Sequence, residues 1–217
     1  MQFDLFDAGS NTILGSGSYD ELKTRLVESG CTKCSLHAGR TQIVVDRGNP
    51  DASVMVIGEG PGEQEDRQGN AFVGRAGKTF DQIMNAVGID TNEDMLIANV
   101  VKCRPPENRA PHSDEAAACL PYLKRQIELV RPHIILLLGA TALKHFDKSK
   151  TNFQMSEEAG KFFTLTDFPS TQFMVLYHPA ALLYNAKLKP AMWQHAKTLR
   201  HFLDQHGLIR SKLKRAQ

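Results

Sequence analysis

Val54-Met55-Val56-Ile57-Gly58-Glu59-Gly60-Pro61-Gly62 is the stretch that decides how this chain folds. Its first five residues form an unbroken apolar run, as in a strand covered on both faces. The glycine-rich turn that follows brings bare backbone to the strand's carboxyl end. Three runs of the same kind lie downstream, at 95–101, 134–139 and 173–177. Helical patterns separate them. Residues 76–87 stop at Gly88, a C-cap residue, and 113–130 open on Ser113 as N-cap and stop before Pro132. Residues 190–205 place Pro190 in the first turn, and an amphipathic stretch at 19–29 leads into Cys31. Alternation of strand and helix predicts an α/β fold. The expected form is a three-layer sandwich whose central, mostly parallel four-stranded sheet is flanked by helices and joined by right-handed crossovers.

The 217 residues suffice for one well-buried domain, with a short N-terminal peptide (1–15) and a basic C-terminal tail (208–217) outside it. At 41% hydrophobic and 23% charged, the composition is that of an ordinary globular protein. No stretch reaches the roughly 18 apolar residues of a membrane span. The opening Met-Gln-Phe-Asp-Leu-Phe lacks a basic signal region, so a cytoplasmic, nucleoid-associated monomer is expected. Charge is uneven: from Lys187 onward eight Lys and Arg face a single Asp204, leaving a net +7 there and −5 before it. Such a segment suits a polyanion partner, although a solvated helix face and a frayed tail have the same composition.

Ligands of parallel α/β sheets sit at the carboxyl ends of the strands. Gly58 through Gly62, Asn99 and His178-Pro179 all fall there. The turn is not a dinucleotide fingerprint, because Glu63 takes the place of the last glycine. Gly77-Lys78-Thr79 mimics the end of a phosphate-binding loop, but the glycine required five residues earlier is Phe72. Phe72 lies in a polar loop, where an aromatic ring either stacks on a planar ligand or closes the core from above. Asn99 interrupts an apolar strand, and a buried amide must find partners. Its C=O and NH2 match the N3–H donor and O4 acceptor of uracil and mismatch cytosine at both. Pro179 holds His178 extended, aiming a ring that could stabilise a developing anion.

The chain has four cysteines: Cys31 and Cys34 at close spacing, then Cys103 and Cys119 far apart. Neither size nor signal suits a disulfide framework. One close pair plus two dispersed thiolates fits an iron–sulfur cluster; zinc, or plain burial of free thiols, are the other readings.

Together these residues resemble the family-4, iron–sulfur uracil-DNA glycosylases. Gly58-Glu59-Gly60-Pro61-Gly62 with Glu65-Asp66 is similar to that family's first motif, and Phe72-Val73-Gly74-Arg75-Ala76-Gly77 to its second. Asn99-Val100-Val101-Lys102-Cys103-Arg104-Pro105-Pro106, with Asn108-Arg109 and Pro111, resembles the next, and His178-Pro179-Ala180-Ala181-Leu182-Leu183 the last. The resemblance implies a monofunctional glycosylase of base-excision repair that flips uracil from single- or double-stranded DNA and leaves an abasic site. Phe72 would stack on the base, Asn99 would read its edge, Gly58 and Gly60 would line the pocket, and His178 would support the leaving anion. Leu182 or Leu183 would wedge into the gap. Glu59 is the expected water-positioning residue, since Gly60 stands where a related family has Asp; Glu65 and Asp66 fit a capping and surface role. The four cysteines would hold a 4Fe-4S cluster of structural purpose.

Tyr184 departs from the Arg common among relatives, and Lys78 from an uncharged residue. The segment 104–111 lacks the basic insert of a sibling branch that traps DNA covalently, so turnover is expected. Gln2-Phe3-Asp4-Leu5-Phe6 resembles a bacterial sliding-clamp-binding peptide, although packing on the domain would also employ its apolar side chains. A non-catalytic iron–sulfur sensor of deaminated bases and an electron carrier are the competing classes. A carrier needs neither an Asn in a strand nor a Phe loop.

Overall fold

The computed structural model describes residues 12–209, so the peptide Gln2–Phe6 and nearly all of the basic tail lie outside it. The chain begins with α1 (Tyr19–Glu28), then β1 (Arg47–Gly48), β2 (Val54–Gly58), α2 (Glu63–Gln68) and α3 (Arg75–Ala86). It continues through β3 (Met95–Asn99), α4 (Ser113–Val130), β4 (Ile134–Leu138), α5 (Gly139–Phe146) and α6 (Met155–Glu158). It closes with β5 (Phe162–Leu165), β6 (Phe168–Leu176), α7 (Pro179–Tyr184) and α8 (Lys189–Gln205).

Among the described residues the sheet has six strands in the order β1-β3-β2-β4-β6-β5, not four. The four expected strands are its parallel centre, and the two additions are antiparallel edges. β1 is two residues long, too short to have a pattern, and exists through its pairing with β3. β5 forms a hairpin with β6, which starts five residues before the run read from sequence because its outer half is only partly buried.

Consecutive strand residues point to opposite faces, and the core divides accordingly. Val54, Val56, Ile97, Leu136 and Met174 pack in one cluster with Phe80 of α3, Leu182 of α7 and Leu199 of α8. Met55, Ile57, Ala98, Leu137 and Val175 pack in another with Leu26 of α1, Leu123 of α4 and Leu143 of α5. This is the three-layer sandwich. The four helices expected from the sequence, α1, α3, α4 and α8, start within one residue of the expected positions, while α2, α5, α6 and α7 had no expected counterpart. α4 is capped by His112 rather than Ser113, because the Glu115 carboxylate reaches back to accept from the His112 N–H at 2.7 Å.

Parallel register aligns the strand ends: Gly58 pairs with Asn99, Ile57 with Leu137 and Leu138 with Leu176. The order reverses between β2 and β4, and that switch point opens a crevice at the carboxyl edge. No helix among the described residues is long and apolar enough to cross a membrane.

Candidate active site and cysteine cage

At that edge lies an open cleft of about 780 Å³, lined among others by Glu59, Gly60, Phe72, Asn99 and His178. Asn99, the last residue of β3, is 1% exposed. Neither Oδ1 nor Nδ2 of its amide has a hydrogen-bond partner. Leaving both unpaired costs about 1–3 kcal/mol or more.

Gly58 faces it across the pair. A side-chain carbon on Gly58 would lie 2.6 Å from Asn99 Oδ1 and 2.6 Å from the Phe72 ring, so glycine keeps this floor clear. Phe72 itself has φ +55°, costly for a bulky residue. What holds it is close packing. The Phe72 carbonyl lies so near Gly77 that a Cβ there would approach it to 1.8 Å. The ring rests edge-on against Phe80, with centroids 6.2 Å apart, and stands 6.0 Å from the His178 ring.

The loop carrying Phe72 is tied from below. Glu65 accepts from the Gly74 N–H at 2.7 Å, and Asp66 accepts from the Thr41 N–H at 2.9 and 3.0 Å. Both carboxylates are buried; the capping and surface role expected of them is corrected to interior loop anchoring.

His178 follows β6 and caps α7. Its Nδ1 accepts from the Ala180 N–H at 3.2 Å, which leaves the ring proton on Nε2. Burial lowers its pKa below the ordinary histidine value, outweighing the opposing pull of Glu59 and then Glu65. The ring therefore stays neutral at pH 7 and offers an Nε2–H donor. Glu59, half-buried, acts electrostatically on both His178 and His145 of α5. Burial lowers His145 as well.

Of the two leucines expected to wedge, Leu182 is 2% exposed and belongs to the core under α7, so it is not available. Leu183, 37% exposed, lines the cleft mouth beside Tyr184, which is 87% exposed.

On the other side of the sheet, Cys31, Cys34, Cys103 and Cys119 line a single small cavity and none is in a disulfide. Among the described residues, no group of three or more His, Cys, Asp or Glu converges tightly enough to hold one metal ion. Arg40 braces the cage: its guanidinium donates to the carbonyls of Gly30 and Cys31, at 2.7 and 2.6 Å, and to Cys103 Sγ at 3.2 Å. The Cys31 thiol meets the Tyr122 hydroxyl at 3.7 Å. Burial pushes the Cys119 thiol up to about 12 and raises Cys103, where Arg40 opposes the shift. Such thiols keep their protons unless a cation replaces them. Glu115, fully buried, binds the Cys34 side to α4. It accepts from Ser35 Oγ at 2.8 Å and from Arg109 at 2.7 and 2.8 Å, and that hydrogen-bonded guanidinium holds its carboxyl down at about 2.

Residues 45–200 match the uracil DNA glycosylase superfamily. The chain belongs to that family. It is 42% identical to the type-4 uracil-DNA glycosylase of Saccharolobus solfataricus over 184 residues, covering 80% of this chain and 82% of the relative. It is 40% identical to that of Sulfurisphaera tokodaii over 187 residues, 84% of each chain. With the Thermotoga maritima type-4 enzyme it shares 39% identity, over 82% of this chain and 91% of the relative. Membership in the uracil DNA glycosylase family agrees with the strand-end cleft. It leaves the particular roles of Arg40, Gly77, Lys102 and His145 to the geometry. Gly77 and Lys102 stand in the motifs quoted above, but no local pattern gives their contacts; Arg40 and His145 carry no sequence signal, because their contacts are tertiary.

Proposed function

We propose that this chain is a monofunctional uracil-DNA glycosylase that binds a uracil nucleotide flipped from DNA and hydrolyses its N-glycosidic bond, leaving an abasic site for base-excision repair. The observation that carries this reading is the buried, unpartnered amide of Asn99 beneath an aromatic ring. Base flipping is required because the bond is inaccessible within the stack. Phe72 stacks on the extruded base. Asn99 Nδ2–H donates to O4 while Oδ1 accepts from N3–H; cytosine would set donor against donor and acceptor against acceptor. The neutral His178 donates from Nε2 to O2 as negative charge develops on the departing base. Glu59 orients the water that attacks C1′. Because water and not a lysine amine is the attacking group, the strand stays intact. Leu183 fills the space the base vacates.

The cysteine cage supports a 4Fe-4S cluster. Its donors are all sulfur, with Cys103 buried and Cys31, Cys34 and Cys119 half-buried, and all four line one cavity, the donor set of a cubane cluster. Bound through Cys31, Cys34, Cys103 and Cys119, the cluster would supply a cross-link between the segment after α1, the segment after β3 and α4, and no redox step in excision. The peptide Gln2–Phe6 is proposed as a sliding-clamp ligand on its motif alone.

The test is an oligonucleotide with one labelled uracil, treated with the folded, metal-loaded protein and then with alkali, beside a cytosine control. Cleavage only after alkali and only at uracil is expected. Cleavage without alkali would overturn the monofunctional assignment, and none at all would move the chain to a non-catalytic sensor.

A further inference from the structure

Asn99 ends β3, and only four residues later the chain enters the cysteine cage at Cys103. Between them lies Lys102, 1% exposed, an unusual place for an ammonium group. Its Nζ donates to the backbone carbonyl of Asn99 at 2.9 Å. The residue also lines the cavity between the four cysteines. Among the described residues Nζ has no second hydrogen-bonded acceptor, although it carries three donors. Burial pulls the amine down to about 8, against the charges of Cys119 and then Asp46. Asp46 is already engaged by Lys23 at 2.7 Å and by the Tyr19 hydroxyl at 2.8 Å.

Two needs meet at this residue. A buried cation requires a counter-charge, and a cage of four thiolates around a metal centre carries one. Asn99, for its part, has an amide with no hydrogen bond of its own, so only its backbone aims it.

We propose that Lys102 is a positioning residue coupling the two sites: its ammonium, held by the negative charge of the loaded cage, fixes the Asn99 carbonyl and thereby the amide that reads the base. The coupling rests on the uracil-reading role given to Asn99 above. It assigns the cage a second purpose besides cross-linking, as the electrostatic anchor of the recognition strand. Arg40 holds the cage from its outer side; Lys102 joins it to the pocket.

Metal-loaded wild type, Lys102→Met and Lys102→Gln separate the possibilities. Met removes charge and donor; Gln keeps a donor and removes the charge. Three quantities are read: cluster absorbance, cluster reduction potential, and the dissociation constant for free uracil. With loading intact, both variants should move the potential to more negative values, because a cation beside the cluster is gone. Lys102→Met should weaken uracil binding roughly ten-fold, and Lys102→Gln should recover part of that loss. Unchanged uracil affinity in Lys102→Met, with only a lowered melting temperature, would reduce Lys102 to a space-filling role and overturn the proposal. An unchanged potential in both variants would also overturn it, since the ammonium would then not face the cluster. Wild type that is fully loaded yet binds no uracil would instead sink the pocket reading itself.

Discussion

The cleft proposed to take the base and the cysteine cage lie at opposite ends of one short run of chain, from Asn99 to Cys103, and they are built on opposite rules. The pocket is an open cleft whose central polar group is left unpaired. The cage is small, and two of its sulfurs are contacted, Cys103 by Arg40 and Cys31 by Tyr122. A site that must empty at every turnover cannot satisfy its recognition group internally, or the ligand would compete with the protein for it. A site closed once, at folding, can. The difference tells which substitutions should harm chemistry and which should harm the fold.

The sharpest break in that comparison is Asn99→Ala. It should lower kcat/KM on uracil DNA by ~10²-fold or more, because the complementary edge is lost. The melting temperature should hold or rise, since an unpaired buried amide is removed. A fall in stability equal to that of a core truncation would show that the amide is satisfied in the free protein. Cys119→Ala should behave in the opposite sense. Cluster absorbance should disappear and stability fall by about 4 kcal/mol, roughly 10 °C for a chain this size. Thermal unfolding followed together with visible absorbance checks it; a colourless variant with unchanged melting would make the cage dispensable.

Gly77→Ala blurs the line between the regions, because it strikes the pocket through backbone packing. The added carbon meets the Phe72 carbonyl and must displace the loop, at about 1–3 kcal/mol. Both melting temperature and kcat/KM should fall, and a normal KM would mean the ring keeps its place. Glu115 tests the cage side through pH. Its folded pKa is depressed to about 2 from 4.5, so its stabilisation is present above pH 4.5 and is lost as pH falls toward 2. Wild type minus Glu115→Gln, in melting temperature against pH, should shrink across that window. A flat difference would count against the ion pair. The smallest effect is expected of Tyr184→Ala at the rim. An exposed ring that stacks on a flanking base is worth about 1 kcal/mol, seen as a few-fold rise in KM without change in kcat.

The sequence made the parallel centre of the fold readable because strands buried on both faces are continuous apolar runs; Val54–Gly58 was delimited to the residue. The edges were not, since β1 has no periodicity and β5 is only half-buried. α5 begins on the residue after β4 with no intervening turn signal, so its start was read as strand. At the site, Asn99 and His178 stood out by violating a local expectation at a strand end. Leu182 was misjudged because its six-residue helix is too short to reveal which face is buried. Lys102 looked like any lysine beside a cysteine. Only the fold turns it inward, through a hydrogen bond spanning three residues that periodicity has no means to express.

The two antiparallel edges bear on a matter remote from DNA. A wide parallel sheet ending in long, flat strands would present rows of free N–H and C=O groups to any neighbour. Here one border is two residues long, and the other is a hairpin whose register slips between Thr164 and Leu165. Neither offers a regular template, so crowded copies of this molecule have no ready border along which to extend one sheet into the next and seed a fibre.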